Sequence, residues 1–471
     1  MSSPMTDGKT IILRLEMDTH LAQFGKAATA IEQANGDIIA IDVIQTDKNK
    51  SIRDLTVKMA EQGAAERLTK ALGALPGIRL IHISDRTFLL HLGGKITIQP
   101  KTPIQNRDDL SRVYTPDVAR VCQAIHEEPS KAFTLTIKRN TVAVISDGSA
   151  VLGLGNIGPY AAMPVMEGKA MLFKQFADVD AFPICLDTQD TEAIIATIKN
   201  LAPAFGGINL EDISSPRCFE IEKRLRQELD IPVFHDDQHG TAVVLYAGLL
   251  NALKLTERSL HEARIVVCGI GAAGIACTKM LLAGGAQHII GVDRAGILTA
   301  EQSYDNPMWQ WYTENTNSER ISGSLAEALQ GADVFIGVSA GGILSRELIE
   351  TMAQQPIVFA MANPEPEIRP ELAEDIVAVF ATGRSDYPNQ INNVLCFPGI
   401  FRGALDSRAT IINEEMKLAA AEAIASVISN DELSRLYIVP SVFNTRVVEE
   451  VRRRVIQAAQ ESGVSRRQPR E

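Results

Sequence analysis

The stretch that decides the fold is residues 265–298, IVVCGIGAAGIACTKMLLAGGAQHIIGVDRAGIL. An apolar run leads directly into Gly269, a second apolar run ends at Asp293, and a stretch of helical character lies between them. This strand, turn, helix and strand order is typical of a parallel α/β unit, and Gly269, Gly271 and Gly274 have the GxGxxG spacing. The sequence therefore predicts a doubly wound sheet that begins with this unit.

The glycine turn is a candidate dinucleotide-binding element. Gly269 ends the first strand, Gly271 lets the backbone approach a pyrophosphate, and Gly274 allows the helix to pack closely on the strand. The free N–H groups at the start of the helix, where Ala272 and Ala273 lie, attract phosphates. We therefore expect these five residues to contact a dinucleotide, although a glycine turn without a nucleotide is the alternative.

Asp293 indicates which dinucleotide is bound. It ends the second strand of the unit, where a carboxylate accepts hydrogen bonds from the adenosine ribose hydroxyls. Its charge would repel a 2′-phosphate, which favours NAD over NADP. Arg294 lies beside it and offers a charge that neutralises such a phosphate, so NADP stays open.

The same α/β alternation extends on both sides of this unit. Downstream, strands are predicted at 265–268, 289–292, 334–338, 357–360 and 378–382, each followed by a helix. Upstream, between a Pro- and Asn-rich linker at 100–109 and about residue 255, shorter strands are predicted at 141–146, 182–186, 207–210 and 233–235. Both regions are expected to form parallel sheets.

Residues 10–95 form a separate pattern. Strands are predicted at 11–17, 38–45, 52–59 and 78–92, and helices at 21–34 and 64–75. This βαββαβ order resembles an ACT domain, a small-ligand regulatory module. The segment from Asp18 to Leu21 lacks the Pro-Gly pair that many ACT domains carry after the first strand. A regulatory role with a small-molecule effector and a structural role in dimerisation both stay open.

Length and composition limit the class of protein. At ~150 residues a domain, 471 residues correspond to about three domains, predicted here at 1–98, 99–255 and 256–471. The formal net charge of −12 argues against a nucleic-acid-coating surface. The most apolar stretch, 241–253, is too short to span a membrane. No secretory signal is recognised at the N-terminus, and the six cysteines are scattered, so we expect a cytoplasmic protein.

Two acidic pairs follow neighbouring predicted strands. Glu211 and Asp212 follow one buried run, and Asp236 and Asp237 follow another, so both should emerge at the carboxyl edge of one sheet. Converging carboxylates repel one another unless a cation neutralises them, and ligation by oxygen alone indicates Mg²⁺ or Mn²⁺. Alternatively, a strand-terminal aspartate caps the helix that follows it, and Ser215–Pro216 indicates an N-cap with proline at the first helical position.

Several of these segments together resemble the malic enzyme family. The resemblance covers roughly residues 105–455, and its motifs are SRVYTPDVARVC (111–122), SDGSAVLGLGNIGPYAAMPVMEGKAMLFKQFADVDAFPICLD (146–187), GGINLEDISSPRCFEIE (206–222), PVFHDDQHGTAVVLYAGLLNAL (232–253), FAMANPEPEI (359–368) and INNVLCFPGIFRGAL (391–405). This resemblance implies oxidative decarboxylation of (S)-malate to pyruvate and CO₂, with a divalent metal, NAD or NADP, and a homodimer or larger assembly.

The resemblance also implies residue roles. By motif position, the metal ligands are Glu211, Asp212 and Asp237, the general base is Lys169, the general acid is Tyr114, and Asn363 and Asn393 contact substrate or nicotinamide. His235 and His239 flank the acidic pair and are expected to be structural or to support the ligands.

Two positions depart from the family pattern. Asp117 replaces the glycine of YTPG, and Ala150 stands where larger members carry an arginine that binds a malate carboxylate. Asparagine amides and backbone N–H groups must then anchor the substrate. A malolactic-type enzyme that releases lactate, and a non-catalytic nucleotide- and ligand-sensing protein, are the alternatives.

Overall fold

The computed structural model describes residues 10–18, 24–59, 64–304 and 306–467. The chain divides into two compact units between Ile98 and Gln99. Each unit is built on its own core and is described separately.

The first unit has the predicted βαββαβ order followed by a short helix. Its elements are β1 (Thr10–Asp18), α1 (Phe24–Gln33), β2 (Gly36–Thr46), β3 (Lys50–Met59), α2 (Ala64–Gly73), β4 (Ile78–Asp85) and α3 (Arg86–His91). The strands form one antiparallel sheet in the order β2-β3-β1-β4. Alternate residues of β1, such as Leu13 and Leu15, are buried with Ala27 and Ile31 of α1, because one face of the sheet packs on the helices.

The predicted last strand is wrong beyond Asp85. Instead of a strand to residue 92, the chain turns into α3, because the Asp85 side chain accepts a hydrogen bond from the backbone N–H of Thr87 at 2.8 Å and caps the helix. The segment after β1 that lacks the Pro-Gly pair, residues 19–21, and the predicted start of α1 at 21–23 lie outside the described residues.

The second unit contains two parallel sheets and the helices that cover them. Its strands are β5 (Thr141–Ser146), β6 (Asp180–Cys185), β7 (Gly207–Leu210), β8 (Val233–His235), β9 (Arg264–Cys268), β10 (His288–Asp293), β11 (Gly296–Ile297), β12 (Val334–Gly337), β13 (Ile357–Ala360) and β14 (Val379–Thr382). Its helices are α4 (Arg107–Val113), α5 (Val118–Glu127), α6 (Ala132–Leu135), α7 (Gly158–Ala177), α8 (Thr191–Leu201), α9 (Arg217–Glu228), α10 (Asp236–Leu255), α11 (Ala272–Ala283), α12 (Pro307–Asn315), α13 (Leu325–Leu329), α14 (Arg346–Glu350), α15 (Phe397–Ser407), α16 (Glu414–Ser426) and α17 (Arg446–Glu461).

The smaller sheet has the order β6-β5-β7-β8, and every neighbouring pair is parallel. All four strands were predicted from short apolar runs. The linker prediction is wrong at its end, however, since Asn106 caps α4 by accepting a hydrogen bond from the N–H of Asp109.

The larger sheet has the order β11-β10-β9-β12-β13-β14 and is the predicted doubly wound sheet. The chain runs outward from β9 in both directions, so the strand order reverses beside the glycine turn. The sequence missed β11, a two-residue strand that pairs antiparallel with the end of β10.

Helix α10 connects the two sheets. Most of its side chains are buried, including Val243, Leu245 and Leu249, and its core neighbours come from both sheets. An apolar helix with no polar face is expected where protein surrounds it on all sides, which explains the apolar stretch at 241–253. In the described part of the chain, no helix has the length and apolar character that a membrane span requires.

Candidate active site

Both acidic pairs emerge at the same edge of the smaller sheet, as predicted. Ile145 of β5 is in register with Leu210 of β7, and Leu210 is in register with His235 of β8. Glu211 and Asp236 are the next residues after these strands, so parallel pairing brings them side by side at the carboxyl ends. The register of three short strands therefore builds the acidic cluster.

Lys169 of α7 lies inside this cluster. Its Nζ is 2.9 Å from Oε1 of Glu211 and 2.5 Å from Oδ2 of Asp236, and only 7% of the residue is exposed. The ammonium group also lies 4.1 Å from the centre of the Phe397 ring. Lysine is rarely buried in this way unless it is paired. The burial of Lys169 therefore favours the predicted role as a general base over a solvated surface position.

Asp236 belongs to the site although the sequence prediction assigned it no role. Its carboxylate is completely buried, and Oδ2 accepts hydrogen bonds from Lys169 and from Nδ2 of Asn393. Asp237, the neighbour that was assigned to the metal, is more exposed. The signal that would have identified Asp236 is its place as the first residue of α10, directly after a buried strand.

Asp212 is held by its backbone. Its N–H donates to Oδ2 of Asp237 at 2.7 Å, and its carbonyl accepts from the N–H of Ala150 at 3.0 Å. Its φ of +54° is in the left-handed region, where aspartate is tolerated better than most residues. Glu211 is oriented by Asn209, whose Nδ2 donates to Oε2 at 2.8 Å. The two acids after β7 are therefore fixed in direction.

The buried carboxylates favour their protonated forms. Burial raises the pKa of Glu211 to about 7 and that of Asp236 to about 7. Burial, together with the charges of Asp237 and Glu211, raises the pKa of Asp212 to about 9. Burial alone would lower the pKa of Lys169, but Asp236 and Glu211 outweigh it and raise that pKa. A net negative cluster of this kind gains free energy from added positive charge.

The donor set fits a hard divalent cation. Within the described residues, no three His, Cys, Asp or Glu side chains form a ready-made metal cluster. The chemistry of the predicted ligands is nevertheless suitable, because Glu211, Asp212 and Asp237 offer carboxylate oxygens alone. Oδ2 of Asp212 is buried and has no hydrogen-bond partner among the described residues, so it is available to a cation.

The two histidines have supporting positions. Nε2 of His239 lies 2.8 Å from Oε1 of the buried Glu222, and the same oxygen accepts from the N–H of His235 at 3.2 Å. Glu222 of α9 therefore holds the start of α10 in place. The alternative in which Ser215 caps α9 is not found, since Pro216 is the N-cap residue and no side chain caps the helix.

Tyr114 makes no hydrogen bond to this cluster among the described residues. It follows the last residue of α4 and is 69% exposed, and its backbone N–H donates to the carbonyl of Leu110. The aspartate that departs from the family pattern, Asp117, accepts a hydrogen bond from Oγ of Ser111 at 2.7 Å. Neither α4 nor α5 has a buried residue.

The glycine turn faces a cavity of about 770 Å³. A Cβ on Gly274 would lie 2.0 Å from the carbonyl oxygen of Gly269, whereas one on Gly271 would meet no atom within 4 Å. Gly274 is thus required for packing of α11, and Gly271 leaves open space for a ligand. Ala272 and Ala273 begin α11, so their N–H groups lie at its N-terminus.

Asp293 also lines this cavity. Its Oδ2 accepts from the N–H of Ile270 at 2.8 Å, and its Oδ1 accepts from the N–H of Arg294 at 2.8 Å. Trp309, which the sequence analysis did not identify, donates from its indole nitrogen to the carbonyl of Ile270 at 2.7 Å and forms part of the wall. The backbone of the glycine turn is therefore fixed at Ile270 by two hydrogen bonds, one at its N–H and one at its carbonyl.

The two asparagines lie at different places. Asn393 donates to Asp236 and is part of the acidic cluster. Asn363 follows β13, and its carbonyl oxygen lies 3.3 Å from the position of a Cβ built on Gly153. Asn363 is therefore packed against the loop that carries Ala150, and this loop also contacts Asp212.

Comparison with known proteins identifies both parts of the second unit. Residues 93–226 match the family model of the malic enzyme N-terminal domain, and residues 238–460 match that of the malic enzyme NAD-binding domain. An NAD-dependent malic enzyme of Geobacillus stearothermophilus is 64% identical over 467 residues, which are 99% of this chain and 98% of that protein. A bifunctional malic/malolactic enzyme of Bacillus subtilis is 55% identical over 82% of this chain and 95% of its own length.

A solved structure shows the same fold. The NAD-dependent malic enzyme of Thermotoga maritima has a TM-score of 0.76 and 52% sequence identity, over 79% of this chain and 99% of that chain.

Proposed function

The chain belongs to the malic enzyme family, and from this premise we infer that it is an NAD-dependent malic enzyme, which converts malate to pyruvate and CO₂ while reducing NAD. The observation that carries this function is Lys169, buried between Glu211 and Asp236 at a sheet edge in the same unit as a dinucleotide turn. A proton-transfer group and a hydride-acceptor site are the two parts that oxidation of a 2-hydroxy acid requires.

In the proposed mechanism, Lys169 acts in its neutral form, which added positive charge at the acidic cluster would favour against the effect of Asp236 and Glu211 on its pKa, and Nζ takes the proton of the malate hydroxyl. Asp236 orients this amine by accepting a hydrogen bond at Oδ2, and Asn393 donates a hydrogen bond to the same oxygen. Because Lys169 and Asp236 are buried and the half-buried Asn393 is bonded to the same carboxylate, their geometry is set before substrate binds. Tyr114 is proposed to protonate C3 after CO₂ leaves, and Asn363 to contact substrate or nicotinamide.

Glu211, Asp212 and Asp237 are the proposed ligands of Mg²⁺ or Mn²⁺. When bound there, the cation supplies positive charge that polarises the substrate oxygens. Support comes from the all-oxygen donor set and from the free buried oxygen of Asp212. Asn209 would keep Glu211 oriented through its hydrogen bond, and Glu222 would fix the backbone at His235, two residues before Asp237.

NAD is proposed to bind through Gly269, Gly271, Ala272, Ala273 and Gly274. Support comes from the open space at Gly271 and from the helix N-terminus behind it. The Asp293 carboxylate in the same cavity favours NAD over NADP because of its charge.

The decisive assay follows absorbance of the reduced nicotinamide with malate, Mn²⁺ and either NAD or NADP, with pyruvate and lactate measured as products. NADH and pyruvate in equal amounts are expected. Lactate without net NADH would instead establish the malolactic reaction, the second candidate, which is favoured by the name of the Bacillus subtilis relative. No metal-dependent turnover with malate would refute both.

We also propose three domains, 1–98, 99–255 and 256–471, and a homo-oligomer. The last boundary lies at the end of α10. Assembly is supported by large exposed apolar side chains of the second unit, namely Leu110, Val113, Tyr114, Leu152, Leu154, Tyr160 and Phe443. Sedimentation analysis at several concentrations tests assembly. A monomer at micromolar concentration would contradict it.

The first unit is proposed to act as a regulatory, ACT-like domain. The protein is proposed to be located in the cytoplasm. Support for regulation is that a separately folded sheet precedes, in the chain, the unit that carries the proposed active site. Removal of residues 1–98 should leave malate turnover and abolish any response to amino acids or central metabolites. Identical kinetics and assembly in both forms would refute this role.

A further inference from the structure

Glu367 has a buried carboxylate that the proposed reaction does not use. It follows β13, none of its surface is exposed, and burial raises its pKa. Its Oε1 accepts from the N–H of Ser339 at 3.0 Å, and its Oε2 accepts from the N–H of Ala362 at 3.0 Å. One side chain therefore joins the loop after β12 to the loop after β13.

One of these loops lines the cavity at the glycine turn, and the other carries Asn363, the proposed substrate or nicotinamide contact. Ser339 lines the cavity at the glycine turn, and Ala362 directly precedes Asn363. The Oγ of Ser339 lies 3.3 Å from Oε1 of Glu367 and 3.9 Å from Sγ of Cys268, the last residue of β9. The hydrogen bonds of Glu367 and Ser339 thus cross the carboxyl ends of three adjacent strands.

The surrounding backbone leaves space for this carboxylate. A Cβ on Gly337, the last residue of β12, would lie 2.4 Å from Cδ of Glu367, so a side chain there would displace it. The carbonyl of Glu367 accepts from the N–H of Leu344 at 3.0 Å, which fixes its own backbone to the far end of the same loop. A buried carboxylate is retained in such a place when its hydrogen bonds compensate the loss of water.

We propose that Glu367 is a positioning residue, which holds the cavity wall at Ser339 in register with Asn363 and so fixes the bound cofactor relative to the substrate. The proposal rests on the proposed function, because it assumes that this cavity takes NAD. Without the carboxylate, two backbone N–H groups lose their acceptor, and the two loops are free to separate.

The test is the affinity of the Glu367→Gln variant for NADH, measured through energy transfer from tryptophan to the bound NADH. Trp309 lines the cavity, so bound NADH quenches its emission. Glutamine keeps the shape but offers one acceptor oxygen, so one of the two N–H groups faces an amide donor. We expect about a tenfold rise in Kd for NADH, as for loss of one hydrogen bond to a charged group. KM for NAD should rise in parallel.

The matched control is Glu365→Gln, two residues away, because Glu365 is exposed and pairs with Arg369 on the surface. This control, and the KM for malate in Glu367→Gln, should change less than about twofold. A folding defect without selectivity would raise both KM values and lower the thermal midpoint of the circular dichroism signal.

Wild-type NADH affinity in Glu367→Gln, or an equal loss of malate and cofactor affinity, would overturn the proposal. NADH binding is measured without malate. A protein that fails to oxidise malate, but binds NADH more weakly in Glu367→Gln and not in Glu365→Gln, would therefore refute the proposed function and leave the role of Glu367 in place.

Discussion

Nζ of Lys169 lies 2.5 Å from Oδ2 of Asp236, although 67 positions separate the two residues in the chain. Both are buried, and the same oxygen of Asp236 is shared with Asn393. The lysine that the family resemblance suggested as a base is therefore oriented by an acid to which the sequence analysis assigned no role.

Asp236→Asn should lower kcat for malate oxidation by roughly 10²-fold, which is typical for loss of a group that supports proton transfer. The amide removes the charge that orients Lys169. The control is Asp178→Asn, because Asp178 forms an exposed ion pair with Lys174, which lies on α7 as Lys169 does. Steady-state kinetics on both variants decides, and wild-type kcat in Asp236→Asn would contradict the role.

Glu211→Gln and Asp212→Asn should weaken binding of Mn²⁺, since each removes a hard anionic oxygen from the proposed ligand set. The measurement is the increase in thermal midpoint on adding Mn²⁺, which mass action predicts for the wild type. The control is Glu220→Gln, because Glu220 lies exposed on α9, and this variant should show the same increase in thermal midpoint as the wild type. Equal increases in all variants would remove these residues from the ligand set.

The second and third glycines of the turn, Gly271 and Gly274, should respond differently to substitution by alanine. Gly274→Ala should destabilise the protein by roughly 1–3 kcal/mol, because its Cβ would meet the carbonyl of Gly269. Gly271→Ala should keep the stability and weaken NADH binding, because its Cβ points into open space. Chemical unfolding and NADH titration separate the effects. Equal NADH affinity in Gly271→Ala and wild type would mean that the pyrophosphate lies elsewhere.

Cofactor preference should depend on Asp293. The wild type should have a higher kcat/KM with NAD than with NADP, and Asp293→Ser should reduce that ratio because the repulsive charge is gone while Arg294 remains. We expect at least about a tenfold change in the ratio, by analogy with one unpaired charge contact. Higher kcat/KM with NADP in the wild type would contradict the assignment.

Tyr114→Phe should lower kcat about 10²-fold, as expected for loss of a general acid, with little change in KM for NAD. Tyr387→Phe is the control, since this hydroxyl donates to Glu371 on the surface. Because Tyr114 is exposed on helices without buried residues, the same variant should be examined for assembly by sedimentation. Normal turnover would remove Tyr114 from the mechanism.

Much of the fold was predictable because it depends on local patterns. The strands of the second unit are short apolar runs bounded by glycine, proline or acidic residues, and their order defines parallel pairing. The error after Asp85 has a local cause as well, since one side-chain cap turned an apolar run into helix. β11 was missed because two residues carry no periodicity.

The site was predictable only in part. Glu211, Asp212 and Asp237 follow strands, and parallel pairing is enough to bring strand ends together. Asp236 was assigned no role because the sequence does not show which carboxylate of an acidic pair contacts Lys169. Glu367 was missed because a lone acid in a sequence carries no information on its burial. The surroundings of Tyr114 could not be predicted either, since nothing in a single chain's sequence states which surfaces its helices cover.

The sequence by itself determined the doubly wound sheet, the dinucleotide turn and the acidic edge, because glycine spacing and strand-end chemistry act over a few residues. Only the tertiary structure decided that Asp236 binds Lys169 and that Glu367 joins a loop of the cavity to the loop that carries Asn363. Those contacts connect residues far apart in the chain, and their strength depends on the exclusion of water, which exists only in the packed protein.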